Sequence, residues 1–136
     1  MPTAFVDTNI FLRHLLQDHP EQSSKATAFL FRIERGEQRA RIADTVVFEI
    51  VFTLQRQYRV PKAEIREQVL ALIELPAFEL RGKDRLRRAF DRYVELNLSF
   101  ADAYHSTLME WEKLTQIVSF DRGFDRVPGI TRVEPS

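Results

Sequence analysis

In Thr3-Ala4-Phe5-Val6-Asp7-Thr8-Asn9, a β-prone run leads straight into three residues that favour helix starts. A strand therefore feeds a helix, and Ile10, Phe11, Leu15 and Leu16 continue with helical spacing. The same alternation repeats outward along the chain. Pro20 opens a second helix, with the run from Glu21 to Arg35, and Gly36 closes it as a C-cap. Ala40–Ala43 reads as a second strand, and Asp44 or Thr45 starts a helix reaching about Tyr58. Pro61 begins the next helix, with Ile65, Val69, Leu72 and Ile73 on one face, and Ala77–Leu80 alternates like a strand. Gly82 to about Glu95 forms a charged helix buried through Leu86, Ala89, Phe90, Tyr93 and Val94. Ser99 caps another helix, Phe100 to about Lys113, and Gln116–Ser119 is a β run. Turn signals at Pro128-Gly129 precede a last short strand near Thr131–Val133. Strands separated by helix-sized connections imply an α/β protein with a mostly parallel sheet covered on both faces.

Composition narrows the function. The chain has 136 residues, 20 Lys+Arg against 20 Asp+Glu, and no Cys. That length suits one domain with a real core, and no linker or repeat suggests a second, so residues 1–136 are expected to form a single domain. The lack of cysteine removes thiol catalysis, redox pairs and thiolate metal sites. No apolar run approaches the roughly 20 residues of a membrane span, and the N-terminus lacks a signal peptide's pattern, so a soluble cytoplasmic protein is expected. Zero net charge hides an uneven distribution. Arg81, Lys83, Arg85, Arg87, Arg88 and Arg92 outnumber Asp84 and Asp91, whereas residues 93–125 hold six acids against Lys113 and Arg122. An acidic region beside a basic one can hold a cation next to a polyanion, though a solvated helix face explains the charge equally well.

Ligands of open parallel sheets bind at the carboxyl ends of strands. Asp7 and Asp121 follow two such strands, and Asp125 comes four residues later. Each alone reads as a helix cap or turn residue. Glu49 is the one charge in Val46–Leu54, a segment apolar almost all round, so it is expected to be buried and to meet a cation. An Arg partner or a narrow exposed stripe are the alternatives. Asp102 stands in the first turn of its helix, where the dipole already favours an acid. Carboxylates gathered at one sheet edge would repel unless a cation neutralised them, and an all-oxygen set suits Mg²⁺ or Mn²⁺. Such ions serve phosphodiester hydrolysis, which makes nucleic acid the natural substrate.

Val6-Asp7-Thr8-Asn9, Glu49 in Val47-Phe48-Glu49-Ile50, Leu98-Ser99-Phe100-Ala101-Asp102-Ala103 and Ser119-Phe120-Asp121-Arg122-Gly123-Phe124-Asp125, in this order, resemble the PIN-domain nucleases, especially the VapC-type toxins of toxin–antitoxin pairs. The resemblance covers essentially the whole chain and includes the ending Val127-Pro128-Gly129-Ile130. It implies a three-layer α/β/α sandwich with a central, mostly parallel sheet, and Mg²⁺- or Mn²⁺-dependent endoribonuclease activity. Asp7, Glu49, Asp102 and Asp121 match the acidic quartet, with Asp7 and Asp102 the foremost metal ligands and Asp125 an additional acidic position. Thr8 and Asn9 match supporting hydrogen-bonding positions. It further implies a homodimer and a small antitoxin covering the site; Phe29, Phe31, Phe48 and Phe52 could line a partner groove or simply pack the core. From charge alone, Arg81, Arg85, Arg87, Arg88 and Arg122 are candidates for guiding RNA, single strands or loops being better targets than stiff duplex. No role is assigned to His105.

A receiver domain would want paired early acids and a Lys after a late strand, and a haloacid-type phosphatase a second Asp close after Asp7; neither pattern is present. The non-enzymatic alternative is a catalytically inactive RNA- or protein-binding module on the same scaffold.

Overall fold

The computed structural model describes residues 2–136, which form six α-helices, a short 3-10 helix and five strands. The chain divides into two compact units, one running through Lys83 and the other from Asp84 onward.

In the first unit, β1 (Ala4–Phe5), β2 (Ala40–Arg41) and β3 (Phe78–Glu79) lie in that order, all parallel. Parallel neighbours require crossovers. The sequence supplies two helices for each: α1 (Thr8–Leu16) and α2 (Pro20–Glu34) join β1 to β2, and α3 (Asp44–Arg56) and α4 (Lys62–Ile73) join β2 to β3. Pro20 occupies the first position of α2, where its missing N–H costs nothing, and Pro61 is the N-cap of α4. Gly36 lies just past α2 at φ 76° and closes a Schellman motif: Gly36 N–H donates to the Ile33 carbonyl at 3.0 Å and Glu37 N–H to that of Arg32 at 2.8 Å. Phe11, Ile42, Val47, Ile50, Leu54, Ile65, Ile73 and Phe78 are buried here, with the Phe11 and Phe78 rings 5.5 Å apart.

The second unit holds α5 (beginning at Lys83, the last residue of the first unit, and ending at Glu95), α6 (Phe100–Glu112), β4 (Gln116–Val118), the 3-10 helix Arg122–Arg126 and β5 (Thr131–Val133). β4 and β5 are parallel. Phe90, Tyr93 and Phe100 form an aromatic cluster, with Phe90 and Phe100 centroids 4.6 Å apart and Tyr93 edge-on to Phe100 at 5.5 Å.

The expected α/β architecture with parallel strands is present. The strands form two ladders, and burial on both faces holds for Ala40 and Phe78 but not for Phe5, on an edge strand, or Val118, which are 65% and 67% exposed. Arg92, grouped by sequence with the exposed basic cluster, is instead buried; it donates to Ser106 Oγ at 3.1 Å and to Glu110 Oε2 at 2.5 Å.

Candidate functional site

Each unit brings one pair of the candidate residues together. In the first, the Val6 N–H donates to the Arg41 carbonyl at 3.0 Å, so the β1–β2 ladder runs on until Asp7 is the first residue beyond it. Asp7 is the N-cap of α1 in extended backbone, yet its side chain accepts no capping bond. An acid that is free to cap and does not is available for another cation or donor. It borders a shallow hollow of about 330 Å³ with Ala4, Phe5, Val6, Ile10 and Phe29. Thr8, buried at the first position of α1, donates its hydroxyl to Glu49 Oε2 at 3.2 Å, which ties the start of α1 to the second turn of α3. Asn9 is exposed on the same turn as Thr8.

Glu49 is exposed rather than buried. α3 buries Val46, Val47, Ile50, Val51 and Leu54, and Phe52 lies with Glu49 outside that stripe at 56% exposure. The segment reads as apolar almost all round because an aromatic residue's hydrophobicity does not show which way it points, and α3 turns Phe52 outward beside Glu49. The cost of a buried charge therefore does not apply to Glu49; its link to Thr8 does.

In the second unit Ser99 caps α6, its Oγ accepting the Asp102 N–H at 3.1 Å. Asp121 follows β4 and caps the 3-10 helix, accepting the Gly123 N–H at 2.8 Å and donating its own N–H to Ser119 Oγ at 2.9 Å. The two carboxyl groups are hydrogen-bonded to each other. Burial, then that bond and the like charge of Asp121, push the Asp102 carboxyl above the ordinary carboxylate value. The Gly123 N–H, then the bond from Asp102, hold Asp121 below it, with Arg126 and Arg132 adding their charge. The like charges of the two acids thus work against each other. Asp125 is different: its Oδ1 accepts from Arg132 Nε at 3.0 Å.

Among the described residues no group of three or more His, Asp or Glu side chains stands gathered to hold a metal ion. The donor chemistry nonetheless fits Mg²⁺ or Mn²⁺. Mg²⁺ keeps several waters and needs only one or two carboxylates, and the Asp102–Asp121 pair brings two all-oxygen donors of like charge together, a repulsion that a cation would relieve.

Among the arginines, Arg81 and Arg122 are exposed. Arg87 lies 3.8 Å from Asp84, and Arg88 shares Glu110 with Arg92 at 3.5 Å. Arg85 is half-buried, and its Nε is a buried polar atom without a hydrogen-bond partner among the described residues. Sequence reasoning missed Arg126 and Arg132, whose partners lie across turns and strands. No helix among the described residues is long and apolar enough to cross a membrane.

The chain is similar to curated proteins over nearly its whole length. A VapC ribonuclease of Aquifex aeolicus is 23% identical over 130 residues, covering 96% of this chain and 95% of the relative. A VapC ribonuclease of Mycobacterium bovis and ribonuclease VapC13 of Mycobacterium tuberculosis are each 27% identical over 132 residues, covering 94% of this chain and 97% of the relative. The model of the PIN domain matches residues 4–130, a span that takes in both the Asp7–Thr8–Glu49 group and the Asp102–Asp121 pair. The chain belongs to the PIN domain family.

Proposed function

We propose that this chain is a Mg²⁺- or Mn²⁺-dependent endoribonuclease, a single catalytic domain over residues 1–136, acting in the cytoplasm as the toxin of a type II toxin–antitoxin pair. The observation that carries the reading is the Asp102–Asp121 pair: two acids brought together from different elements, whose like charges disfavour each other, a repulsion that a cation would relieve. The relatives named VapC ribonuclease support the nuclease part.

Asp7 and Glu49 in the first unit, and Asp102 and Asp121 in the second, are the acids that would serve as metal ligands in this reaction. A bound divalent cation supplies an activated water and neutralises charge at the scissile phosphate. The protein's own groups hold the carboxylates ready. Thr8 fixes Glu49, Ser99 fixes the start of α6 that bears Asp102, and the Gly123 N–H fixes Asp121. Asn9 supports the first turn of α1. Asp125 remains an auxiliary acid, and its bond to Arg132 favours a structural part for it. Arg81, Arg85, Arg87, Arg88 and Arg122 guide the RNA backbone, at a strength that falls with salt. The active form is a homodimer, and a small antitoxin covers the site; the hollow beside Asp7 and the half-exposed Phe31 and Phe52 support an apolar contact for that partner.

The test is incubation of the purified protein, freed of partners, with total cellular RNA and Mg²⁺ or Mn²⁺, beside EDTA and Asp7→Ala controls. Discrete fragments that vanish in both controls are expected. Cleavage that survives EDTA or the substitution refutes the reading.

A further inference from the structure

Asp102 and Asp121 lie on different elements, so their separation depends on whatever ties the start of α6 to the turn behind Asp121. Among the described residues, the Arg126 side chain makes such a tie. Arg126, the last residue of the 3-10 helix, donates from Nη1 to the carbonyls of Leu96 at 3.2 Å and Asn97 at 2.8 Å, in the turn between α5 and the Ser99 cap. Asn97 has left-handed backbone at φ 52°. A turn in that conformation aims its carbonyls in fixed directions, and a guanidinium can meet two of them from one nitrogen. On its other side the Asp121 segment is braced by Arg132, which donates to the Ser119 carbonyl at 3.0 Å and to Asp125 at 3.0 Å. Arg132 thus ties the segment to β5, and Arg126 ties it to the turn that leads into Asp102.

We propose that Arg126 is a positioning residue: it touches neither metal nor RNA, and by joining the 3-10 helix to the turn ahead of Ser99 it sets the separation of the Asp102 and Asp121 carboxylates, and with it the affinity of the pair for a divalent cation. This rests on the metal-dependent reading above only for its metal readout. A basic residue whose charge reaches Asp121 could instead contact a phosphate. The two roles part in their kinetics, because a phosphate contact acts on RNA binding and a positioning contact acts through the metal.

The experiment compares Arg126→Gln and Arg126→Lys with the wild-type chain, by Mn²⁺ titration, by amide hydrogen exchange at Asp102 and Gly123, and by RNA cleavage at low and saturating Mn²⁺. Loss of a residue that orients metal ligands weakens metal binding by about 10- to 100-fold. Arg126→Gln is therefore expected to lower Mn²⁺ affinity about tenfold, speed exchange at both amides and lose cleavage that saturating Mn²⁺ restores, with KM for RNA unchanged. Arg126→Lys, which can still donate to one of the carbonyls, recovers part of each effect. Unchanged Mn²⁺ affinity together with a raised KM overturns the proposal in favour of a phosphate contact, and unchanged exchange at both amides overturns it directly. If the wild-type chain takes up no Mn²⁺, the metal reading fails and exchange alone decides the brace. If it binds Mn²⁺ and cleaves no RNA, the nuclease reading fails while the affinity comparison stands.

Discussion

Gly123→Ala separates placement of a carboxylate from stability of the fold. A Cβ at 123 would lie 3.1 Å from Asp121 Oδ1 and 3.4 Å from Leu98 Cδ2. Leu98 is at ordinary contact distance, so the conflict falls on Asp121, which must withdraw by about 0.3 Å or rotate. That movement stretches the 2.8 Å bond from the Gly123 N–H that holds the carboxylate in place. A misplacement of 1 Å can cost about 100-fold in rate, so a third of that corresponds to a loss of roughly three- to tenfold. Stability moves the other way. Gly123 is not among the glycines with left-handed backbone, which are Gly36, Gly82 and Gly129, so alanine adopts the native conformation and gains about 0.4–1 kcal/mol from the unfolded state. The assay is RNA cleavage with Mn²⁺ at saturating substrate, paired with urea unfolding of the same preparation. A cleavage rate within about twofold of wild type would refute the placement argument, and so would a rate loss that tracks a fall in stability.

Two further outcomes follow from side chains already described. Glu110→Ala strands the buried Arg92 with only Ser106 and costs about 2 kcal/mol, less than a sealed pair because Glu110 is itself 43% exposed. Arg92→Met leaves Glu110 with Arg88 and costs about 1 kcal/mol, so urea midpoints in the reverse order would defeat the assignment. Burial holds the His14 imidazole below its usual value, with Nδ1 2.7 Å from Thr27 Oγ1. The folded state thus favours neutral His14, and as pH falls through about 6.5 the unfolded chain takes up the proton first, so stability declines. His14→Gln should flatten that decline in urea midpoints measured between about pH 8 and 5, and an equally steep decline would show that other groups cause it.

The order of elements was legible because its punctuation is local. Pro20, Gly36, Pro61 and Ser99 each act through their own backbone or a neighbour a few residues away, and each lies at an element boundary. The positions of Asp7, Asp102 and Asp121 were legible for the same reason, each following a strand or opening a helix. Burial of Glu49 was misjudged because aromatic residues count as core in a pattern, whereas α3 turns Phe52 outward beside the acid. Contacts that set geometry were invisible because they span long separations. Thr8 reaches Glu49 across 41 residues and Arg126 reaches Asn97 across 29, and nothing near either residue in the chain marks its partner.

The missing cap at the head of α1 has a consequence for any attempt to evolve this chain in the laboratory. The first N–H groups of α1 lack the side-chain acceptor that Asp7 could give them. A residue that did accept there would steady the helix by about 1 kcal/mol. Under selection for heat resistance alone, position 7 is therefore among the places where improvement is easiest, with serine or asparagine as natural winners. Those winners lack the carboxylate, so heat resistance would be won by dismantling the proposed metal site.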